Sequence, residues 1–310
     1  MSKYIFGVDL GGTTVKMGLF TDNGEVLDKW EIVTVKDNAG AQILPDIANS
    51  IKAKQAEKNI DAADVIGVGI GVPGPVDSKG VIYKAANLGW DVFNVSDTLS
   101  ELVGFPVKTG NDANVAALGE MWMGGGKGYD SLVMVTLGTG VGGGVIIEGK
   151  LVAGSVGAGG EIGHIRIDDN ETESCGCGNK GCLEQYTSAT GVVRLANRRL
   201  AKDDKASVLR GKTVDCKAVW DAVKEGDELA IEVAEEFGWI LGKGLATIAC
   251  VVNPEAFVIG GGVSKAGTII LDYIKKNYDE MAFRGCKNAE FCLATLGNDA
   301  GIYGAAKLVL

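Results

Sequence analysis

The apolar positions of this chain form short continuous runs, separated by segments with helical spacing. Residues 4–20 and 132–147 are built alike, each being an apolar run, a turn rich in glycine and threonine, and a second apolar run. Residues 65–72 and 256–263 are shorter apolar runs with glycine near their ends. Short apolar runs bounded by turn residues are typical of buried strands, so the pattern predicts a hairpin and a further strand in each half.

The chain therefore resembles a duplication. The second pair of runs lies farther apart in sequence than the first, so the latter half is predicted to carry an insertion. Helical spacing marks residues 43–51, 115–122, 228–251 and 265–278, and a last helix is expected to begin after Asn298 and Asp299. Strand hairpins that alternate with helices predict an α/β fold with mixed sheets.

Length and charge narrow the class of protein. A chain of 310 residues is long enough for two domains of ordinary size. It carries 40 acidic and 30 basic residues, a net charge of −10, which disfavours nucleic acids and anionic membranes as partners. Anionic ligands are then expected to be held by backbone amides.

The first residues contain no apolar stretch long enough for a secretion signal. Residues 131–147 are uncharged but too rich in glycine and threonine to suit a membrane span. We therefore expect a cytoplasmic protein whose seven cysteines are reduced.

One segment concentrates residues that bind metals. His164 is the only histidine of the chain, and Cys175, Cys177 and Cys182 follow it in a glycine-rich stretch. One imidazole and three thiolates form a ligand set that binds Zn2+ tetrahedrally and leaves no position open for a reactive water. The sequence predicts a structural zinc site, with a disulfide as the alternative in an oxidising compartment.

Two glycine turns offer ligands for phosphate. Their residues are Asp9, Gly11, Gly12, Thr13 and Thr14 in the first half, and Gly138, Thr139 and Gly140 in the second. Glycines let backbone amides approach phosphate oxygens, threonine hydroxyls add donors, and a carboxylate can face hydrated Mg2+. A plain hairpin is the alternative for the first turn, but the similar turn in the second half favours a polyphosphate ligand.

Asp112 stands in the segment 110–114, directly before a predicted helix. Aspartate is a good N-cap residue, so a structural role is one interpretation. A carboxylate at a strand-to-helix junction, with Asn111 beside it, is equally suited to accept a proton from a substrate. Both interpretations stay open on these residues alone.

Together these motifs resemble those of the ROK family of sugar kinases and sugar-responsive repressors, and within it the bacterial glucokinases. Residues 9–16, 110–114 and 137–144 resemble its first phosphate motif, its catalytic segment and its second phosphate motif. Residues 161–164 and 175–184 resemble its zinc and sugar signature. The resemblance implies the actin-like ATPase fold of hexokinases, Hsp70 and actin, with ATP and sugar in a cleft between two domains.

The resemblance also implies boundaries, a reaction and its residues. The smaller domain is expected to comprise residues 1–118 with about 299–310, and the larger one residues 119–298. The expected reaction transfers the γ-phosphoryl group of ATP to the 6-hydroxyl of glucose, with Asp112 as the base and Mg2+ and Asp9 among the groups that neutralise the phosphates. Lys16 belongs to the first phosphate motif, and Gly261 is expected on the adenosine side.

The sugar contacts implied by the resemblance are Asn87, Asn111, Asp112, Glu161, His164 and Glu184. If His164 gives one ring nitrogen to zinc, the other carries a proton that it can donate to the sugar. The metal site is therefore expected to shape the sugar pocket as well as to stabilise the fold.

Other members of the family are alternatives. Kinases for N-acetylmannosamine, N-acetylglucosamine, allose or fructose would use the same motifs, and polyphosphate is an alternative donor to ATP. A sugar-binding repressor is disfavoured by the acidic charge, and because a first phosphate motif at residue 9 leaves no room for a DNA-binding segment before it. The resemblance further suggests a homodimer or a homotetramer.

Overall fold

The computed structural model describes residues 3–85 and 87–310. The strands are β1 Tyr4–Leu10, β2 Thr14–Thr21, β3 Val26–Val33, β4 Val65–Val72, β5 Val81–Ile82, β6 Phe93–Asn94, β7 Val107–Asn111, β8 Leu132–Leu137, β9 Val141–Ile147, β10 Lys150–Leu151, β11 Ala256–Gly260 and β12 Glu290–Leu293. The α-helices are α1 Asp37–Gly40, α2 Ile43–Glu57, α3 Val95–Val103, α4 Asp112–Met123, α5 Glu184–Thr187, α6 Ala189–Leu200, α7 Cys216–Lys224, α8 Glu228–Val252, α9 Ile269–Met281 and α10 Ala300–Leu308. Short 3-10 turns occupy Ala62–Asp64, Ile162–His164, Val263–Ala266, Arg284–Cys286 and Gly297–Asp299.

The chain forms two compact units. The first comprises residues up to 128, 144–160 and 296–310, and the second comprises residues 129–143 and 161–295. The last helix, α10, therefore belongs to the same unit as the first strands.

The sheet of the first unit has the order β3-β2-β1-β4-β7. Strands β1, β2 and β3 pair antiparallel, whereas β4 and β7 join β1 in parallel. This mixed sheet places the ends of β1, β4 and β7 at one edge, because parallel strands end on the same side. Asp9 and Asn111 lie at that edge.

Each face of this sheet packs against helices. Phe6 and Val8 belong to a buried cluster that includes Ile47 of α2, whereas Ile5, directly before Phe6, packs with Ile302 of α10. Alternate residues of a strand point to opposite faces, so one strand contributes to two cores. Burying an aliphatic or phenyl side chain of this size contributes about 2 kcal/mol.

The second sheet has the order β10-β9-β8-β11-β12. Strand β11 pairs in parallel with β8 and β12, and Phe257 of β11 contacts Tyr278 of α9 edge to face with ring centroids 5.5 Å apart. The strand order repeats that of the first sheet, with a three-strand meander followed by two further strands. The predicted duplication is confirmed, and the predicted insertion lies between β10 and β11.

The predicted helices are present, with two shifted boundaries. Helix α4 begins at Asp112, three residues earlier than expected, because the Asn111 side chain accepts a hydrogen bond from the Asn114 amide and acts as the N-cap. The segment predicted as one helix over 265–278 is interrupted at Gly267, whose φ of +88° no right-handed helix allows, and α9 runs from Ile269 to Met281. Among the residues that the structure describes, no helix is both long and apolar enough to cross a membrane.

Candidate functional site

The four predicted metal ligands converge in the second unit. One ligand atom each from His164, Cys175, Cys177 and Cys182 lies within 4.8 Å of the others. The Cys177 and Cys182 sulfurs are 3.7 Å apart, and the Cys175 sulfur is 3.9 Å from Nδ1 of His164. Zinc bonds of roughly 2.0–2.3 Å in a tetrahedron place the ligand atoms about 3.5–3.8 Å apart, so this arrangement fits the metal.

The sulfurs are thiols and form no disulfide. Burial, followed by contacts with Cys177 and Cys175, raises the pKa of the Cys182 thiol to about 12. A cation bound to these sulfurs would supply the positive charge that favours the thiolate form at neutral pH. The donor set and its spacing suit a four-coordinate structural metal.

A buried ionic cluster, which the sequence analysis missed, supports the metal loop. The side chain of Glu171 is 2 % exposed, and it accepts hydrogen bonds from the Tyr186 hydroxyl at 2.7 Å and from Arg194 at 2.6 Å. Burial alone would raise the pKa of Glu171, but hydrogen bonds from Tyr186, the Glu173 amide and Arg194 lower it to about 2. The pair of arginines one helical turn apart, Arg194 and Arg198, is the sequence signal from which an acidic partner could have been predicted.

Two of the expected sugar ligands are His164, which belongs to the metal cluster, and Glu161, which lies beside it. Nε2 of His164 points away from the sulfurs and lies 3.9 Å from a carboxylate oxygen of Glu161. Because Nδ1 faces the sulfurs, Nε2 is the nitrogen that would carry the proton when Nδ1 binds a metal. Glu161 is exposed, with 57 % of its side-chain surface accessible, so its carboxylate is available to a ligand.

Glu184, the third of these residues in the second unit, begins α5. One of its oxygens accepts a hydrogen bond from the Val141 amide at 2.9 Å, and the other lies 3.5 Å from the Cys175 sulfur. The carboxylate thus lies between the metal cluster and the end of the second glycine turn.

The second glycine turn connects β8 to β9 and is fastened to the start of α6. The Gly138 amide donates to the Gly140 carbonyl at 2.9 Å, and the Ala189 amide donates to the Gly138 carbonyl at 2.8 Å. The Thr190 hydroxyl donates to the Thr139 carbonyl at 3.0 Å. The backbone of the turn is therefore held rigidly from one side.

A cavity of about 630 Å3 adjoins this turn within the second unit. Its lining includes Thr139, Thr190, Cys216, Trp220, Gly262 and Lys265. Gly261, predicted on the adenosine side, directly precedes Gly262 of this lining and has a φ of +84° that favours glycine. The volume suits a ligand of nucleoside size.

The first glycine turn connects β1 to β2 in the first unit. The Gly11 amide donates to the Thr14 carbonyl at 3.0 Å, and the Thr34 hydroxyl of the neighbouring segment donates to the Gly11 carbonyl at 2.7 Å. A Cβ built on Gly12 would lie 3.9 Å from the side-chain nitrogen of Asn87, which places this expected sugar ligand beside the turn. The turn is a hairpin, as the alternative interpretation required, and its Gly11 amide is used within it.

Asp9 is the buried acid of this turn. It lies opposite Lys16 in the β1–β2 register, and Gly301 at the start of α10 packs so closely that a Cβ there would be 2.5 Å from its carboxylate. Burial and the charge of Asp112 raise the pKa of Asp9 to about 6, while Lys16 opposes that rise. A buried carboxylate next to a second one is suited to a cation. The Lys16 ammonium donates to the Asn298 carbonyl at 3.2 Å.

Asp112 is the first residue of α4 and not its N-cap. Asn111 fills that position and also donates through its side chain to the Gly74 carbonyl at 3.1 Å. One oxygen of Asp112 accepts a hydrogen bond from the Ala113 amide at 2.8 Å, which orients the carboxylate at the helix terminus. The capping interpretation of Asp112 is therefore wrong, and the expectation that Asn111 helps to fix this junction agrees with its contacts.

Comparison with known proteins assigns the family. The model of the ROK family matches residues 5–310, and the chain belongs to this family. It is 43 % identical to a glucokinase of Halalkalibacterium halodurans over 99 % of this chain and 95 % of that protein. It is 35 % identical to a glucokinase of Thermotoga maritima over 98 % and 96 % of the two chains.

Solved structures agree with that assignment. A ROK family glucokinase from Streptomyces griseus, in complex with glucose and AMPPNP, matches with a TM-score of 0.73 and 36 % identity over 98 % of both chains. The ROK hexokinase of Thermus thermophilus matches with a TM-score of 0.80 and 30 % identity over 98 % and 96 % of the two chains. The predicted actin-like ATPase fold is confirmed.

Proposed function

We propose that this protein is a glucokinase that transfers the γ-phosphoryl group of ATP to the 6-hydroxyl of glucose. The observation that carries the proposal is near full-length similarity to glucokinases, together with the four-residue metal cluster. The similar Streptomyces griseus enzyme binds glucose and an ATP analogue in the crystal. The match to the ROK family covers residues 5–310 and therefore includes residues of both units.

In the first unit, we assign Asp112 as the catalytic base. The transition state of phosphoryl transfer is loose, so a base mainly orients the attacking hydroxyl and takes its proton late. Asp112 is suited to this role because a hydrogen bond from the Ala113 amide orients its carboxylate at the start of α4. Asn111 and Asn87 are assigned to further sugar hydroxyls.

Asp9, Gly11, Gly12, Thr13, Thr14 and Lys16 are assigned to the phosphates of ATP. Asp9 is the residue that would hold Mg2+, and burial together with the charge of Asp112 raises its pKa to about 6. Mg2+, when bound, supplies positive charge that neutralises the phosphate oxygens. The amides of the turn add donors at fixed positions.

In the second unit, we assign Gly138, Thr139 and Gly140 to phosphate and Gly261 to the adenosine side. Glu161, His164 and Glu184 are assigned to the sugar, because carboxylates and an imidazole N–H bind hydroxyls with fixed direction. The metal cluster, assigned to structural zinc, fixes which nitrogen of His164 bears the proton.

A substrate panel tests the proposal directly. Glucose, N-acetylmannosamine, N-acetylglucosamine, N-acetylgalactosamine, allose and fructose would each be assayed by coupled ADP release with MgATP, and glucose also with polyphosphate. We expect the highest kcat/KM for glucose with ATP. A markedly higher kcat/KM for another sugar would overturn the assignment of glucose. Turnover of glucose with polyphosphate but not with ATP would overturn the assignment of ATP as donor.

A further inference from the structure

The carboxylate of Glu184 contacts a part of the protein that sugar binding does not explain. Its hydrogen bond to the Val141 amide spans 43 residues of sequence and reaches the last peptide of the second glycine turn. Its other oxygen packs against the Cys175 sulfur of the metal cluster. The side chain is therefore held between the cluster on one side and the turn on the other.

The fit between this carboxylate and the turn is close. A Cβ built on Gly140 would lie 2.4 Å from the carboxylate oxygen, and beyond Gly140 and its two chain neighbours the three nearest atoms all belong to the Glu184 carboxylate. Gly163, in the segment between Glu161 and His164, approaches Val141 from its carbonyl side, where a Cβ would lie 2.2 Å from the carbonyl oxygen. Both polar groups of Val141 are thus enclosed by the segments that carry the expected sugar ligands.

We propose that Glu184 is a positioning residue for the second phosphate turn, in addition to its assigned contact with the sugar. Its carboxylate holds the Val141 amide and so keeps the Gly138–Gly140 backbone in the geometry that binds phosphate. A charged acceptor makes the stronger kind of hydrogen bond to an amide, and a rigid loop loses less conformational entropy on binding. The inference rests on the proposed function only in taking this turn as a phosphate site.

Nucleotide affinity without sugar separates this role from sugar binding. The probe is a fluorescent ATP analogue with Mg2+, titrated into the zinc-loaded full chain. We expect Glu184→Ala to raise the dissociation constant of the nucleotide about tenfold, which corresponds to about 1.4 kcal/mol. Glu184→Gln keeps an acceptor oxygen for the Val141 amide and should stay within about threefold of the wild type.

Glu161→Ala is the matched control. It removes the neighbouring acid that is also assigned to the sugar but has no hydrogen bond to the turn, so its nucleotide affinity should equal that of the wild type. Three results would overturn the inference: wild-type affinity in Glu184→Ala, equal losses in the alanine and glutamine variants, or a tenfold loss in the control. A wild type that binds no nucleotide would instead contradict the proposed function itself, and the inference with it.

Gly140→Ala tests the same contact while Glu184 stays in place, and a double-mutant cycle combines it with Glu184→Ala. Gly140→Ala places its Cβ against the carboxylate and should displace it from Val141, with a loss of nucleotide affinity about as large as that of Glu184→Ala. In the Glu184→Ala background the added methyl group no longer meets the carboxylate, so Gly140→Ala should cost clearly less affinity there than in the wild type. Additive losses in the double variant would show that the two residues act independently and would overturn the proposal. Zinc content and thermal stability of every variant check that the fold is intact.

Discussion

Asp9 and Asp112 lie close enough for the charge of one to raise the pKa of the other. In a stable core such a pair is unfavourable, because two carboxylates in one partly buried place repel each other and lose hydration. Repulsion of this kind is common where a cation or a reacting hydroxyl is to be bound. The same two residues therefore support two predictions, one about chemistry and one about stability.

Replacing Asp112 by asparagine keeps the shape of the side chain and removes the base. We expect Asp112→Asn to lower kcat by about 10^2–10^4-fold, the range over which a positioned base contributes. Glucose affinity should stay within about threefold, because an amide still hydrogen bonds to hydroxyls. Steady-state kinetics and calorimetric titration of glucose measure the two quantities. A kcat close to that of the wild type would show that another group takes the proton.

Asp9→Asn should stabilise the protein while it impairs turnover. The pKa of Asp9 is about 6 in the folded protein and 3.8 without the fold, so the folded state favours the protonated form. Its contribution to stability is present below pH 3.8 and is lost as the pH rises through 6. At pH 7.5 the neutral asparagine avoids that loss, and we expect a gain of about 2 kcal/mol, or a rise of roughly 5 °C in Tm.

Thermal unfolding in magnesium-free buffer measures this effect. The gain should shrink as the pH falls from 7.5 to 5, because Asp9 of the wild type then takes up its proton. Asp22→Asn, the same change at an exposed position after β2, serves as the control and should leave Tm nearly unchanged. A gain that does not depend on pH would show that ionisation of Asp9 is not its cause.

At the scale of elements, the metal loop is attached to α6 by the cluster around Glu171. The exposed fraction of the Glu171 side chain is 2 %, whereas that of Glu173, which contacts the same two arginines, is 66 %. A buried ion pair is costly to break because one charge is left without a partner. Exposed pairs contribute little because water screens them.

Glu171→Gln should therefore destabilise the protein by about 3 kcal/mol at neutral pH, and Glu173→Gln by less than about 1 kcal/mol. Urea unfolding measures both. Because the pKa of Glu171 is about 2 in the folded protein and 4.5 otherwise, its contribution is present above pH 4.5 and is lost as the pH falls towards 2. The difference between wild type and Glu171→Gln should decrease over that range. Equal effects of the two substitutions would contradict the role of burial.

The elements that the sequence predicts well are those specified by local pattern. Helix α8 was expected over 228–251 and runs from Glu228 to Val252, because its apolar periodicity is long and Asp227 caps it. The apolar spacing that marks α4 begins only at Val115, so the polar first turn from Asp112 is missed, and of the two good caps Asn111 and Asp112 only the contact with the Asn114 amide distinguishes the right one. Local pattern cannot resolve such a choice.

The candidate site shows the same division. The metal ligands were predictable because they lie within 19 residues of one another and chemistry limits their types. The contacts of Glu171 with Arg194 and of Glu184 with Val141 join residues 23 and 43 positions apart. They depend on how the loop folds over α6 and the glycine turn, which no periodicity encodes.

For the molecule as a whole, the duplicated strand order gives each unit a glycine turn after its first strand, and among the described residues the metal cluster lies in the second half. The inserted segment brings the thiols and the histidine together, and we propose that a metal bound there orders it. Since Glu161, His164 and Glu184 lie in or beside that segment, the metal is expected to act on both stability and sugar binding.

Metal removal tests this coupling. We expect about one zinc per chain by elemental analysis, since the four ligands form one tetrahedral site. A chelator should lower Tm and weaken glucose binding in titration calorimetry by at least about tenfold, because His164 and Glu184 are then no longer held, and added zinc should restore both. Cys177→Ser should reproduce the chelated protein, whereas Cys250→Ser, a change at an exposed thiol outside the cluster, should keep its zinc and its affinity. If zinc-free protein bound glucose as tightly as the reconstituted protein, the metal would contribute to stability only. The assignment of His164 and Glu184 to the sugar would then be wrong.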